Sequence, residues 1–298
     1  MAAVFFALSM TRNSGARGNF LVAVFISGLG VVVALGAVGA QGMFFADVYQ
    51  LNFFSQLFKM LLALGLFLVV CLCSELRGIE ERQHPECYLL LSISTLGTMM
   101  MVSSVELLTL YVSLELSSYS LYLLVALRKG EGTHREASIK YLLTGAATSA
   151  VMLFGLALLF GAAATTNIIE LQRILPSVMS RPLFLLGLVL TLSGFFFKLA
   201  LFPFHIWAPT VYQGAPNQVA AYIATATKAA AAAVLIRIVA SAGESNPHLS
   251  RALVILAIAS MTFGNLVAIR QKDLKRLFAF SAVAHAGYIL IGILSASE

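Results

Sequence analysis

The chain has 298 residues, 60% of them hydrophobic and only 11% charged, with a mean hydropathy of +0.92. Soluble domains carry roughly 25% charged residues, so the composition excludes a water-soluble globular protein and describes a polytopic membrane protein. The formal charge of +6 would suit nucleic acid, but the basic residues fall between apolar runs, where they act as topology signals, and nucleic-acid binding is excluded.

Residues 1–10, MAAVFFALSM, are apolar but too few to cross a hydrocarbon layer of about 30 Å. They lack the basic leader of a signal peptide. They read as a shortened first helix or as a flexible leader, and the alternation of the loops favours the helix. Apolar runs of crossing length follow at 19–40, 54–74, 87–104, 106–127, 138–163, 182–202, 216–240, 252–269 and 275–296. The predicted fold is an all-α polytopic membrane protein of nine to ten transmembrane helices, with no room for a soluble domain. Cys71, Cys73 and Cys87 form neither a CxxC pair nor a metal-ligand set and are expected to be free thiols.

Sidedness follows from counting Lys and Arg in alternate loops. One set holds Arg12, Arg17, Arg77, Arg82, Arg128, Lys129, Arg135, Lys140, Arg270, Lys272, Lys275 and Arg276, and the other holds Arg173, Arg181, Arg237 and Arg251. Twelve against four predicts that loops 11–18, 75–86, 128–140 and 270–276 face the cytoplasm of a multi-pass protein in the cell inner (plasma) membrane. Lys59, Glu106 and Asp47 lie near span edges, within reach of headgroups.

That leaves Glu115, Lys198 and Lys228 well inside spans. Each such charge costs about 2.5–3.5 kcal/mol at a helix centre on insertion scales, so an intramembrane ionisable group is a functional hypothesis by default. One salt bridge would account for a pair but would leave a second lysine unexplained. Lys198 stands just before Pro203, where proline removes a backbone donor and clashes with the preceding turn, so the helix is predicted to be discontinuous there. A broken helix is tolerated at membrane depth only where protein or water satisfies the freed backbone groups. Lys228 lies among Ala and Thr, which permit close helix approach. Glu115, Lys198 and Lys228 are therefore the predicted proton relay. His205 at the break is a further relay candidate or a cap for the broken helix. His285 is a proton carrier or an interhelix contact, and Lys140 a proton-entry group or a snorkelling surface lysine.

No Walker loop, dinucleotide fingerprint or cluster-binding cysteine set is present. No redox site and no metal site is expected in this chain.

Four stretches carry a family resemblance: LTLYVSLELSSYSLYLLVAL around Glu115, EASIKYLLTGAATSAVMLFG, FKLALFPFHIWAPTVYQGAPNQVAAYIATATKAA, and GNLVAIRQKDLKRLFAFSAVAHAGYIL. They resemble the antiporter-like membrane subunits of respiratory complex I, nearest the subunit-N branch, from about residue 85 to the C-terminus. The resemblance implies a proton-pumping module without cofactors of its own, with NADH, FMN, iron–sulfur clusters and quinone held by partner subunits. It implies that a helix-borne glutamate pairs with a lysine on a broken helix and that a second lysine passes the proton on, at Glu115, Lys198 and Lys228. It also implies inverted-topology repeats: N-terminal helices over 1–86, a complete first repeat over 87–240, and an incomplete second repeat over 252–298. The expected partners are other membrane-arm and peripheral-arm subunits, the bilayer, and a separate chain supplying the remaining helices. The rival readings are a subunit of a multisubunit Na⁺/H⁺ antiporter or hydrogenase-type membrane arm, and a non-pumping structural fragment.

Overall fold

The computed structural model describes every residue except 12–14, 77, 130–132, 246 and 296–298; Arg12 and Arg77, counted above, lie outside the described residues. The chain is almost wholly helical. Helix α1 (Ala2–Thr11) is the predicted short first helix, and Phe5 on it is fully buried against Tyr88. The long helices are α2 (Ala16–Gly36), α3 (Phe53–Cys71), α4 (His84–Ser103), α5 (Leu107–Ala126), α6 (Thr133–Ala163), α8 (Pro182–Leu199), α11 (Ala226–Ser245), α12 (Pro247–Ile269) and α13 (Leu274–Ser295). Shorter helices are α7 (Ile168–Val178), α9 (Trp207–Gly214) and α10 (Asn217–Ala224). Among the described residues nine helical stretches are long and apolar enough to cross a membrane, and they coincide with the nine predicted runs. Cys71, Cys73 and Cys87 are free.

Besides α1 and α9, a hairpin and helix α7 lie outside the predicted spans. A hairpin pairs β1 (Gly42–Phe44) with β2 (Tyr49–Leu51), antiparallel, with Met43 opposite Gln50. Helix α7 is amphipathic: Ile168, Leu171, Leu175 and Val178 are buried on one face, and Asn167 caps it by accepting from the Ile169 and Glu170 amides at 2.9 and 3.2 Å. At the other chain turns, local chemistry starts the spans. Asn52 and Ser55 form a reciprocal capping box on α3, and the Glu106 carboxylate accepts from the Thr109 amide at 2.6 Å to open α5.

Helices α4, α5, α8, α10 and α11 form the interior, whereas α2 and α12 present Leu21, Phe25, Val32, Ile255 and Leu266 outward. In hydrocarbon there is no hydrophobic drive between helices, so close backbone approach through small residues does the work. A Cβ on Gly97 of α4 would lie 2.7 Å from the Ser117 amide nitrogen and 2.8 Å from the Ser113 carbonyl of α5. Gly264 of α12 repeats this against α13, 2.6 Å from the Ala284 nitrogen and 2.9 Å from the Phe280 carbonyl. In both hairpins the glycine meets the backbone 16 and 20 residues further on.

Of the predicted cytoplasmic loops, 75–86, 128–140 and 270–276 meet at one end of the bundle through Glu80, Arg128, Lys129, His134 and Lys275. Arg128 donates to the carbonyls of Gln213, Gly214 and Ala215, His134 to Gly214 and Lys275 to Ala215, so three basic side chains cover the C-terminus of α9. Burial pulls the Arg128 guanidinium below the ordinary arginine range. Beside it, Lys129 and then Arg82 hold the Glu80 carboxyl below the usual carboxylate range. At the opposite end Arg237 donates to the carbonyls of Val102 and Ser104, both at 2.9 Å.

Replacing Gly97 by Ala should lower the thermal midpoint of the detergent-purified protein, because a methyl pressed on backbone costs about 1–3 kcal/mol. Gly161, with nothing within 4 Å of an added Cβ, supplies the control. Equal midpoints for Gly97→Ala and Gly161→Ala would refute this packing account.

Candidate functional site

The site is built on the end of α8. Lys198 is only 2% exposed and lies in the helix's last turn. The helix stops at Leu199 because Ala200 takes a left-handed conformation (φ 60°, ψ 42°), unusual for a residue with a Cβ. The Leu201 amide returns to the Phe196 carbonyl at 2.9 Å, the closing bond expected of such an end. Residues 202–206 form turns around Pro203, which follows a cis peptide, and α9 resumes at Trp207. The backbone groups freed by the break are satisfied by protein: Trp207 Nε1 donates to the Phe197 carbonyl at 3.1 Å, and the Phe202 amide donates to Ser260 Oγ at 3.0 Å. The predicted discontinuity is present, with its edge at Ala200 rather than at the proline.

Lys198 Nζ donates to Ser118 Oγ at 2.9 Å and makes a longer contact of 3.5 Å to Ser117 Oγ. Glu115 is 8% exposed and lies one turn before Ser118 on α5; its Oε1 accepts from Ser149 Oγ of α6 at 2.5 Å. No ion pair joins Glu115 to either buried lysine among the described residues. The two groups are instead each solvated by serines, and a single turn of α5 carries both contact points. The carboxyl and the amine are thereby each hydrogen-bonded to hydroxyls rather than held in a fixed salt bridge.

Lys228 is placed separately. It is 5% exposed and donates to the Ala282 carbonyl of α13 at 2.9 Å. Its span is also interrupted, which the sequence reading did not anticipate. Helix α10 ends at Ala224, Thr225 has φ −118° and ψ −78°, and α11 begins at Ala226. Thr225 Oγ1 bonds back to the Ala221 carbonyl at 2.8 Å, the side-chain competition that bends helices. So both lysines sit within three residues of a helix interruption.

The secondary candidates divide. His205 is buried, stacked on Phe202 and edge-on to Phe263, and among the described residues its Nδ1 lacks a hydrogen-bond partner. It shares a cavity of about 370 Å³ with Lys140, Gln213 and Arg276, so His205 and Lys140 are brought together, although Lys140 is also ion-paired with Glu136. His285 is exposed, packs on Tyr288 and lines a different cavity of about 550 Å³ next to Ala282. The residues missed by sequence reasoning are the hydroxyls. Ser117, Ser118 and Ser149 were present in SLELSSYS and TSAVM, and a serine cluster flanking a mid-span glutamate was the available signal.

With this geometry in view, comparisons with known proteins agree on one kinship. Residues 104–298 match the family model described as NADH:quinone oxidoreductase/Mrp antiporter, transmembrane. The chain is 55% identical over 291 residues to a Syntrophobacter fumaroxidans protein named NADH-quinone oxidoreductase subunit N 2, covering 98% of this chain and 62% of that one. It resembles a chain of respiratory complex I from Thermus thermophilus with a TM-score of 0.80 and 34% identity, covering 98% of this chain and 64% of that one. A chain of the Mrp complex from Dietzia sp. DQ12-45-1b, at TM-score 0.85, 20% identity and coverage of 98% and 57%, shares the fold. The chain thus spans somewhat under two thirds of the length of these relatives. In each relative the matched stretch lies within one longer polypeptide, which lends no support to the expected separate chain.

Ser118→Ala leaves the Lys198 ammonium with only its 3.5 Å contact to Ser117. Stripping a buried charge of a partner costs about 1–3 kcal/mol, so the thermal midpoint should fall, and Ser118→Thr should restore it. A Ser118→Ala protein as stable as the parent would show that this hydroxyl does not solvate Lys198.

Proposed function

The chain belongs to the NADH:quinone oxidoreductase/Mrp antiporter membrane family, and from that premise we propose that it is a proton-translocating membrane-arm subunit of an NADH-quinone oxidoreductase. The observation that carries this reading is Lys198, buried at a helix break and solvated by serines one turn from Glu115. Electron chemistry is assigned to partner subunits, which hold NADH, FMN, iron–sulfur clusters and quinone. Quinone reduction there shifts charge along the membrane arm and alters the separation of Glu115 and Lys198. At an effective dielectric near 20, a unit pair brought to about 4 Å gains about 4 kcal/mol. That is enough to shift a proton equilibrium by roughly three decades. The proton released by Lys198 then moves on towards Lys228, beside the second interruption.

The repeat organisation, with 87–240 as a first unit and 252–298 as the start of a second, is supported by the matching glycine contacts of Gly97 and Gly264. The plasma membrane, with loops 128–140 and 270–276 on its cytoplasmic side, is supported by the gathering of Arg128, Lys129, His134 and Lys275 at one end of the bundle. The oxidoreductase reading is favoured over a free-standing Na⁺/H⁺ antiporter because the 55%-identical relative carries the oxidoreductase name, whereas the Mrp likeness is one of fold.

Lys198→Met removes the charge and keeps the bulk. In the assembled complex it should suppress the proton-to-electron ratio, measured as dye-reported acidification per NADH oxidised in vesicles. An unchanged ratio would end the relay reading.

A further inference from the structure

The cavity of about 550 Å³ between α10 and α13 has no part in the relay, and its lining is divided along its length. At one end stand Tyr212, Asn217 and Lys275. The walls beyond are apolar, with Ala220, Ala221 and Ala224 on α10 and Leu274, Phe278 and Ala282 on α13. Leu274, Phe278 and His285 are exposed, so the cavity lies open along one side as a groove. Lys275 and His285 are ten residues apart on α13, a rise of about 15 Å, which is half of a hydrocarbon layer of about 30 Å. The groove is therefore one leaflet deep, polar at its outer end and apolar below.

The polar end calls for an anion. Arg128 and Lys275 both donate to the Ala215 carbonyl, at 2.9 and 3.3 Å. Two cations meeting on one oxygen repel each other. Asp273, the acid of that loop, is already taken up by Gln213 Nε2 and the Arg276 amide. The carbonyls that end α9 are thus covered, but the first three amides of α10, on Asn217, Gln218 and Val219, have no acceptor among the described residues. Tyr212 is a separate sign. It is 3% exposed, it lines this cavity, and its hydroxyl has no partner among the described residues. One ligand oxygen cluster would satisfy ammonium, amides and hydroxyl together. Water alone would meet the hydroxyl but leave the cations unneutralised and the alanine and phenylalanine walls wet.

We propose that this groove binds an anionic phospholipid from the leaflet at this end of the bundle. The phosphate sits on Lys275, Asn217 and the opening amides of α10, a helix N-terminus flanked by positive charge. One acyl tail lies between the α10 alanines and Phe278 and ends near His285. It passes Ala282, whose carbonyl holds Lys228 at 2.9 Å, and keeps bulk water from reaching that bond along the groove. The site is independent of the relay reading, and stands or falls by lipid capture alone.

The test uses the assembled complex in phosphatidylcholine vesicles containing a minority of phosphatidylglycerol, a trace of it photoreactive at mid-tail. Illumination should label the α10 and α13 peptides that carry Ala224 and Ala282. Unlabelled phosphatidylglycerol should compete about tenfold better than phosphatidylcholine, whose choline charge Lys275 and Arg128 repel. Lys275→Gln should weaken capture by about tenfold, through loss of a charge-assisted contact. Lys272→Gln, on the same loop but outside the lining, should leave capture unchanged. Ala221→Phe fills the place of the tail and spares that of the phosphate, and should remove the label from both helices. It carries the test if Lys275→Gln, which also loses the Ala215 bond, fails to assemble. Equal competition by the two lipids, or undiminished capture in assembled Lys275→Gln or Ala221→Phe, would overturn the proposal. So would an absence of label on α10 and α13, the outcome if another helix of the complex fills the groove.

Discussion

The organising constraint is the solvation of charge where there is no bulk water. An ammonium or carboxylate in the hydrocarbon layer must find partners inside the protein. For Lys198 and Glu115 those partners are serines: Ser118 and Ser117 for the amine, Ser149 for the acid. A hydroxyl both donates and accepts, so it can serve either charge state of either group. Direct pairing would lock both groups into one state; the serines solvate them separately, with Glu115 and the Lys198 partners Ser117 and Ser118 on one turn of α5. The helices around them are drawn close by glycine for the same reason. Gly97 lets α4 rest on the backbone of Ser113 and Ser117, which brings Ser94 to Ser117.

The two helix interruptions follow from the same constraint. At Ala200 the freed groups are met by Trp207 and Ser260, and at Thr225 by the threonine's own hydroxyl. Each break therefore brings polar backbone to membrane depth beside a lysine without exposing it to lipid. The left-handed Ala200 adds strain of about 1–2 kcal/mol, kept at the site rather than relieved by glycine, as strained backbone often is at functional positions.

Much of this was legible in the chain itself. Nine apolar runs became nine helical stretches, because length and hydropathy decide spans almost alone. Pro203 announced the first break, since proline acts on the backbone whatever the fold. The break at Thr225 carried no such mark: a threonine among alanines is ordinary in a transmembrane helix, and its bond to the carbonyl four residues back, that of Ala221, is one that Thr148 and Thr227 also make. Helix α7 was hidden by its length and mixed polarity, although Ile168, Leu171, Leu175 and Val178 have helical spacing. The partners of Glu115 and Lys198 were out of reach for a deeper reason. Periodicity says which residues share a face of one helix, but not that Ser149 of α6 and Ser118 of α5 would converge on charges from two other turns.

The basic loops show that one residue can answer two demands. The count of Lys and Arg reads as a signal for orientation, yet Arg128, His134 and Lys275 are also spent on the carbonyls of residues 213–215. Those carbonyls exist as orphans because α9 is short, and α9 is short because the chain breaks at Ala200 and again at Pro216. A discontinuous helix makes extra termini, and each C-terminal one attracts cations through its partial negative charge. Part of the positive charge at this end is therefore a consequence of the break that places Lys198. It ties the α5–α6, α9–α10 and α12–α13 connections to one point, so that a displacement of any of them is felt at the half-helix joining the two lysines.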